Sequence, residues 1–270
     1  MINRRFKANR PKVIGSTDIN PYWEVIKGII RESDILLEVC DARMPELSRN
    51  EEIEKLAKSS KKQLVIILNK SDLVNFNQLM IHIKTLSKEF PVFALSGKSR
   101  EGITRLRNYL FAKAKKVEKL RIGVLGYPNT GKSSVINAIS RRGTAKVSSR
   151  AGTTRGQQWI NAGDNMLIID SPGVIPLRKE DELRYSLIAS KNPEKIAELE
   201  LVASEIIKLF GDKTPIQILY EIKLQSDNPE EIILEIGKKK GFLKKGGEVD
   251  ENKTSIQIIR DWQNGRLRMN

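Results

Sequence analysis

Residues 126–133 read Gly-Tyr-Pro-Asn-Thr-Gly-Lys-Ser, between an apolar run from Leu120 to Leu125 and a helical pattern at about 131–140. A buried strand that turns through a glycine-rich loop into a helix N-terminus is a phosphate cradle. Gly126 and Gly131 let the backbone curl so that its N–H groups point at a β-phosphate. Lys132 supplies charge between the β- and γ-phosphates, and the Ser133 hydroxyl can ligate Mg²⁺. Thr130, Gly131, Lys132, Ser133 and Ser134 are therefore expected to bind nucleotide. A loop of this kind belongs in an open sheet flanked by helices, and the rest of the chain can be read against that constraint.

The flanking pattern agrees. Apolar runs at 34–40, 63–68 and 91–95 read as strands, with helical patterns at about 18–32, 49–58, 77–88 and 101–116 between and around them. Nearly continuous apolar strands alternating with amphipathic helices predict βαβ units and a parallel sheet covered on both faces. Asp18 is a possible cap for the first helix. Two further strands are expected at about 157–162 and 166–170, joined by a hairpin turn at Ala162-Gly163-Asp164-Asn165. The Gly/Thr/Ser/Arg-rich stretch from 141 to 156 lies before them.

A second motif fixes the base. Asn69-Lys70-Ser71-Asp72 follows the second apolar strand. The Asp72 carboxylate can accept from both N1–H and the 2-amino group of guanine. Adenine offers neither donor and would leave it unpaired, at a cost of roughly 1–3 kcal/mol. Asn69 is expected at the purine N7 edge, and the Lys70 stem over one ring face. Ser96-Gly97-Lys98 suits a backbone contact to guanine O6, with Lys98 on the opposite face. The guanine tetrad precedes the phosphate loop here, whereas ordinary small GTPases have the reverse order. A circularly permuted P-loop GTPase domain, mostly parallel in its sheet, accounts for both motifs.

Asp170-Ser171-Pro172-Gly173 ends the last expected strand, about forty residues after the phosphate loop. Asp170 can hold Mg²⁺ through water, and the Gly173 N–H can meet the γ-phosphate. Thr154, in Gly152-Thr153-Thr154-Arg155, is chosen as the switch threonine for the metal's last position. Lys132, Thr154 and Gly173 are thus the expected catalytic contributors, with Ser133, Thr154 and Asp170 around Mg²⁺. Ras-like enzymes place a water-orienting Gln after Asp-x-x-Gly. Val174 and Ile175 stand there instead, so slow intrinsic turnover is expected.

From about residue 180 the pattern is helical only, with turn signals at Asn192-Pro193, Thr214-Pro215 and Asn228-Pro229. Each is read as a capping side chain before a first-turn proline, and Glu231 as the partner of Asn228 in a capping box. Gly211 and Gly241 are expected at helix ends, and Gly246-Gly247 before a last helix at about 253–265. The expected division is residues 1–178 as GTPase domain with a basic N-terminal arm, and 179–270 as a small all-α domain that binds RNA or the ribosome.

Composition narrows the partners. The formal net charge is +15, and from residue 176 onward 17 basic and 17 acidic side chains cancel, so the excess lies in the first 175 residues. A localised basic excess fits a polyanionic partner such as RNA, and equally a lysine-rich solvated surface. Arg4, Arg5, Lys7, Arg10, Arg141, Arg142, Lys146 and Arg150 are the expected phosphate contacts to RNA. No run of about 18 apolar residues and no signal-peptide pattern is present, so a cytoplasmic protein without membrane association is expected. The lone Cys40, inside an apolar run, reads as a core thiol. Trp23, Trp159 and Trp262 are read as core residues before base-stacking platforms.

With these motifs placed, the chain resembles the circularly permuted YlqF/RbgA-type GTPases over about residues 18–268. The resemblance includes Asp41-Ala42-Arg43-Met44-Pro45, Ser48-Arg49-Asn50, Gln157-Gln158-Trp159, Gly246-Gly247-Glu248-Val249-Asp250 and Ile259-Arg260-Asp261-Trp262. It implies a factor that binds GTP and GDP with Mg²⁺ and acts on the large ribosomal subunit and its rRNA as a monomer. Val174 matches the family's hydrophobic substitution for the catalytic glutamine. Asn129 matches a nucleotide-site residue that ligates K⁺ in potassium-stimulated relatives, which implies turnover stimulated by K⁺ and by the ribosome. Bacterial members carry an N-terminal histidine that Ile19-Asn20-Pro21-Tyr22-Trp23 lacks. His82 is expected at the surface and no catalytic histidine is assigned. Two other readings stay open: a GTP-gated RNA-binding placeholder with incidental hydrolysis, and a permuted GTPase acting on another RNA or on translating ribosomes.

Overall fold

The computed structural model describes residues 20–140, 147–148, 158–170 and 182–269. Its centre is a seven-stranded sheet of β1 (Ile35–Asp41), β2 (Gln63–Asn69), β3 (Val92–Ala94), β4 (Leu120–Leu125), β5 (Val147–Ser148), β6 (Gln158–Gly163) and β7 (Met166–Asp170). The order is β3-β2-β1-β4-β7-β6-β5. The strands from β3 to β7 run parallel, and β6 and β5 are antiparallel. The fold is thus the expected mostly parallel α/β sheet with a C-terminal helical layer.

The near-continuous apolar strands have a direct physical cause. Successive side chains point to opposite faces, and both faces are covered. Ile35, Leu37 and Val39 of β1 join Val65 and Ile67 of β2 in one core, under α5 (Ile103–Ala114) and α6 (Lys132–Ile139). Leu36 and Cys40, with Leu64, Ile66 and Leu68, enter the other. That core is covered by α1 (Asn20–Glu32), α3 (Glu51–Ser59) and α4 (Phe76–Leu86), with the four-residue α2 (Pro45–Ser48) before α3. The helix expected at about 49–58 is α3, and the Asn50 side chain caps it by accepting from the N–H groups of Glu52 and Ile53. Trp23 and Trp159 pack on this core, and Cys40 is fully buried with its thiol pushed up by burial. The hairpin turn between β6 and β7 carries Asp164 and Asn165 at φ 51° and 59°, as a twisted two-residue connection requires.

The helical layer consists of α7 (Glu182–Leu187), α8 (Leu199–Lys208), α9 (Thr214–Tyr220), α10 (Pro229–Lys240) and α11 (Glu251–Gln263). Its core gathers Val202, Ile206, Ile216, Tyr220, Ile233 and Ile259 around the fully buried Trp262. Three local expectations are corrected. Thr214 is the first residue of α9 and not its cap: Lys213 holds the N-cap position without a side-chain cap, and the Thr214 N–H and hydroxyl both donate to Asp212. The Asn228 N–H donates to Ser226 Oγ, so Glu231 forms no capping box with it. Gly241 ends α10 in the left-handed region, whereas α8 ends at Leu209, before Gly211. Asp18 lies outside the described residues. No described helix is long and apolar enough to cross a membrane.

Candidate nucleotide-binding site

The carboxyl ends of β1, β2, β3 and β4 open on one side of the sheet, where ligands of open α/β sheets bind. β4 passes into the loop at Gly126 and re-forms as α6 at Lys132. Gly131 lies at φ 95°, and a Cβ there would stand 2.1 Å from Asn69 Nδ2. Only glycine satisfies both conditions. Thr130 is buried and its hydroxyl donates to the Tyr127 carbonyl at 2.9 Å. The Lys132 ammonium is only 7% exposed as a residue and donates to the Gly126 and Tyr127 carbonyls at 2.9 and 2.7 Å. The loop thus holds its own cation through two of its carbonyls.

Asn69 lines the cavity and is held between two loops. Its Nδ2 donates to the Thr130 carbonyl at 2.8 Å, and its Oδ1 accepts from the Gly97 N–H at 2.9 Å. The side chain therefore bridges the phosphate loop and the Ser96–Lys98 loop, setting their spacing. Lys70 lies in the left-handed region at φ 63°, which turns the chain sharply after β2. Its ammonium sits 2.8 Å from Asp41 Oδ2, which fixes the stem beside the cavity. Ser96 is buried and its hydroxyl accepts from the Ser99 N–H, closing the loop that presents Gly97 and Lys98.

These segments enclose one cavity of about 480 Å³. Asn69, Lys70 and Asp72 line it with Ser96, Gly97 and Lys98, opposite Asn129, Gly131 and Ser134. Motifs separated by about sixty residues in the chain therefore face the same space. Asn129, at φ 60°, donates its side-chain amide to the Ala189 carbonyl at 2.7 Å. Ser133 is exposed on the first turn of α6. The lining also includes Ala189 and Gln263, Asn264 and Gly265 from the helical layer, which sequence reasoning missed. No local pattern marks them, because their place depends on how α11 packs against residues 41–73. Thr154, Gly173, Arg4, Arg5, Lys7, Arg10, Arg141, Arg142, Lys146, Arg150 and the Asp170 side chain lie outside the described residues.

A buried polar cluster supports the cavity from below. Asp41 is 1% exposed and Arg43 2%. Burial alone would push the Asp41 carboxyl up, but the Arg43 guanidinium and the Lys70 ammonium outweigh it and hold the acid well below its usual range. Lys70 is held below the ordinary lysine value by burial, with Asp41 opposing. Beside this cluster, Glu38 Oε1 accepts from the Asn50 N–H at 2.6 Å, and Asn50 Nδ2 donates to the Tyr127 hydroxyl at 3.1 Å. Glu38 Oε2 has no partner, and burial raises this carboxyl from 4.5 to about 8. The Ser-Arg-Asn triplet is thus structural. Ser48 Oγ accepts from the Asp41 N–H, Arg49 pairs with Glu54, and Asn50 links Glu38 to the phosphate loop. His82, expected at the surface, is half-buried on α4, away from the cavity, and burial pushes its pKa down.

Fold and cavity together define a P-loop nucleotide-binding protein whose base-side motifs precede its phosphate loop in the chain. A family model described as a 50S ribosome-binding GTPase matches residues 121–235. An uncharacterised GTP-binding protein of Methanocaldococcus jannaschii is 37% identical over 251 residues, covering 92% of this chain and 66% of that protein. The chain thus spans just under two thirds of that relative's length. Ribosome biogenesis GTPase A of Bacillus licheniformis is 32% identical over 245 residues, 84% of this chain and 86% of that one. A crystal structure of GNP-bound YlqF from T. maritima superimposes with a TM-score of 0.63 at 22% identity, covering 92% of this chain and 95% of that chain, a likeness of fold. The chain belongs to the YlqF/RbgA-type circularly permuted GTPases.

Proposed function

We propose that this protein binds GTP and GDP, hydrolyses GTP slowly, and acts as a switch on precursors of the large ribosomal subunit. The single observation that carries this reading is the cavity itself. Asp72 lines one space of about 480 Å³ together with Asn129 and Gly131 of the loop that leads into Lys132. Close approach at Gly131 and the bridging amide of Asn69 support a rigid cradle for a diphosphate. In this reading Asp72 selects guanine, Lys98 covers the ring, and Lys132, Ser133 and Ser134 meet the phosphates. Ser133, Thr154 and Asp170 would hold Mg²⁺, which would supply charge neutralisation at the phosphates, and Gly173 and Thr154 would attend the γ-phosphate. Asn129, which lines the cavity and donates its amide N–H to the Ala189 carbonyl, would offer its side-chain oxygen to K⁺.

Residues 1–178 form the GTPase domain and 179–270 the ribosome-facing helical domain, with the basic arm and the arginines of 141–150 on rRNA phosphates. The family match described as 50S ribosome-binding and the ribosome-biogenesis relative support that partner. GDP and GTP should bind at least tenfold more tightly than ADP and ATP, because adenine leaves Asp72 unpaired. Equal affinity for ATP would refute the base assignment. Turnover should rise in KCl over NaCl, and again with large-subunit precursors. Val174, in place of the usual glutamine, favours a second reading: a GTP-gated placeholder whose hydrolysis is incidental. Single-turnover rates unchanged by subunits and by K⁺ would decide for it.

A further inference from the structure

The cavity wall contributed by the last helix is tied to the guanine-reading segment by a specific set of side chains. Asp41, at the end of β1, takes Arg43 in a two-point grip, with Nε on Oδ1 at 3.0 Å and Nη2 on Oδ2 at 2.7 Å. The same Oδ2 accepts from the Lys70 ammonium at 2.8 Å. Arg43 then reaches across to α11. Its Nη1 donates to the Trp262 carbonyl at 2.5 Å, and its guanidinium lies 4.0 Å from the Trp262 ring centroid. Trp262 in turn donates through Nε1 to the Leu187 carbonyl, two residues before the Ala189 that binds Asn129. A second track runs alongside. Gly265 rests on Leu73, the Met269 N–H donates to the Leu73 carbonyl at 3.0 Å, and Asn75 donates to the Met269 carbonyl.

We propose that Arg43 is a positioning residue for guanine-nucleotide binding: through Asp41 it fixes Lys70, through Trp262 it fixes the wall at 263–265, and base binding and docking of the last helix are thereby linked. The inference rests on the GTP-binding reading and deepens it. A lone buried carboxylate could hold Lys70 in several orientations. The fork of Arg43 removes that freedom, because a guanidinium bonded at two oxygens sets the plane of the carboxylate. Stacking on Trp262 then sets the guanidinium's own plane. Lysine cannot replace it, having neither a fork nor a flat face. The Lys70 backbone, in a left-handed conformation unusual for a residue with a side chain, needs such an anchor. By reciprocity, a ligand contacting Lys70, Asp72 and the 263–265 wall must stabilise the packing of α11 as much as that packing tightens the ligand.

The test combines titration with a fluorescent GDP analogue and hydrogen exchange on the full chain, wild type and Arg43→Lys. In the wild type, GDP should slow amide exchange across 258–267 as well as at 69–75 and 126–134. In R43K, GDP affinity should fall about tenfold, within the usual range of coupling. The GDP-induced protection at 258–267 should disappear while that at 126–134 persists. A purely structural role would lower stability without separating those two segments. If R43K binds GDP as tightly as wild type, the proposal is wrong. Should R43K fail to fold, the unmutated protein still decides: GDP that leaves 258–267 unprotected overturns the proposal. A wild type that binds no guanine nucleotide overturns the GTP reading instead, a distinct result.

Discussion

Glu38 offers a test of how the phosphate loop is supported. The carboxyl lies inside the sheet, one oxygen on the Asn50 N–H and the other without a partner. Burial, aided by the nearby Glu54 charge, raises it to about 8, against the opposing Asn50 N–H and Arg49. In the unfolded chain it titrates near 4.5. Between those values the folded protein binds the proton and the unfolded chain does not. The stability contributed by protonated Glu38 is therefore complete below 4.5 and is lost as pH rises through about 8. At about 1.36 kcal/mol per pH unit, that interval sets a ceiling of about 5 kcal/mol.

Glu38→Gln keeps the shape and the Asn50 bond but cannot ionise. Urea unfolding of both proteins from pH 5 to 9, at constant ionic strength, isolates this group as the difference between two curves. Near pH 5 the proteins should be about equally stable. The variant should gain on wild type as pH rises, by a few kcal/mol at pH 8–9. Asp41, already ionised throughout this range, cancels in the difference. A gap between the two proteins that stays constant with pH would falsify the account of a buried protonated acid beneath Tyr127.

Two further outcomes follow from the cavity walls. Asn69→Ala removes partners from the buried Thr130 carbonyl and the Gly97 N–H, and should cost about 2–4 kcal/mol and weaken GDP binding; a loss under about 0.5 kcal/mol in the urea midpoint would show that the bridge does not hold the loops. Gly131→Ala places a methyl 2.1 Å from Asn69 Nδ2 at a φ of 95°, so at least about 2 kcal/mol of stability and most GDP binding should be lost; normal GDP binding by calorimetry would contradict the close approach.

Much of this protein is legible in its residues one segment at a time. The apolar runs at 34–40 and 63–68 specify strands buried on both faces, and the glycine-rich loop before Lys132 specifies a strand-to-helix turn. These depend on backbone conformation and on the local spacing of apolar side chains, both properties of neighbours in the chain. Even the order of the motifs, base before phosphate, is enough to imply a permuted domain. Caps were legible where one side chain faces the N–H groups just ahead of it, as at Asn192. They were missed where the helix begins at the candidate itself, as α9 does at Thr214, after Lys213.

Packing alone decided what those motif residues touch. Asn69 spends its amide on two loops, because β2 ends between β1 and β3 and so between the phosphate loop and Gly97. Lys70 meets Asp41, 29 residues earlier, since β1 and β2 pair in register with Asp41 opposite Asn69. Arg43 meets Trp262 across 219 residues, a contact that exists only because α11 docks on the end of β1. No local pattern encodes such pairings. They arise when buried charges must find partners in whatever surface folding brings against them, and here that surface is the wall of the nucleotide cavity.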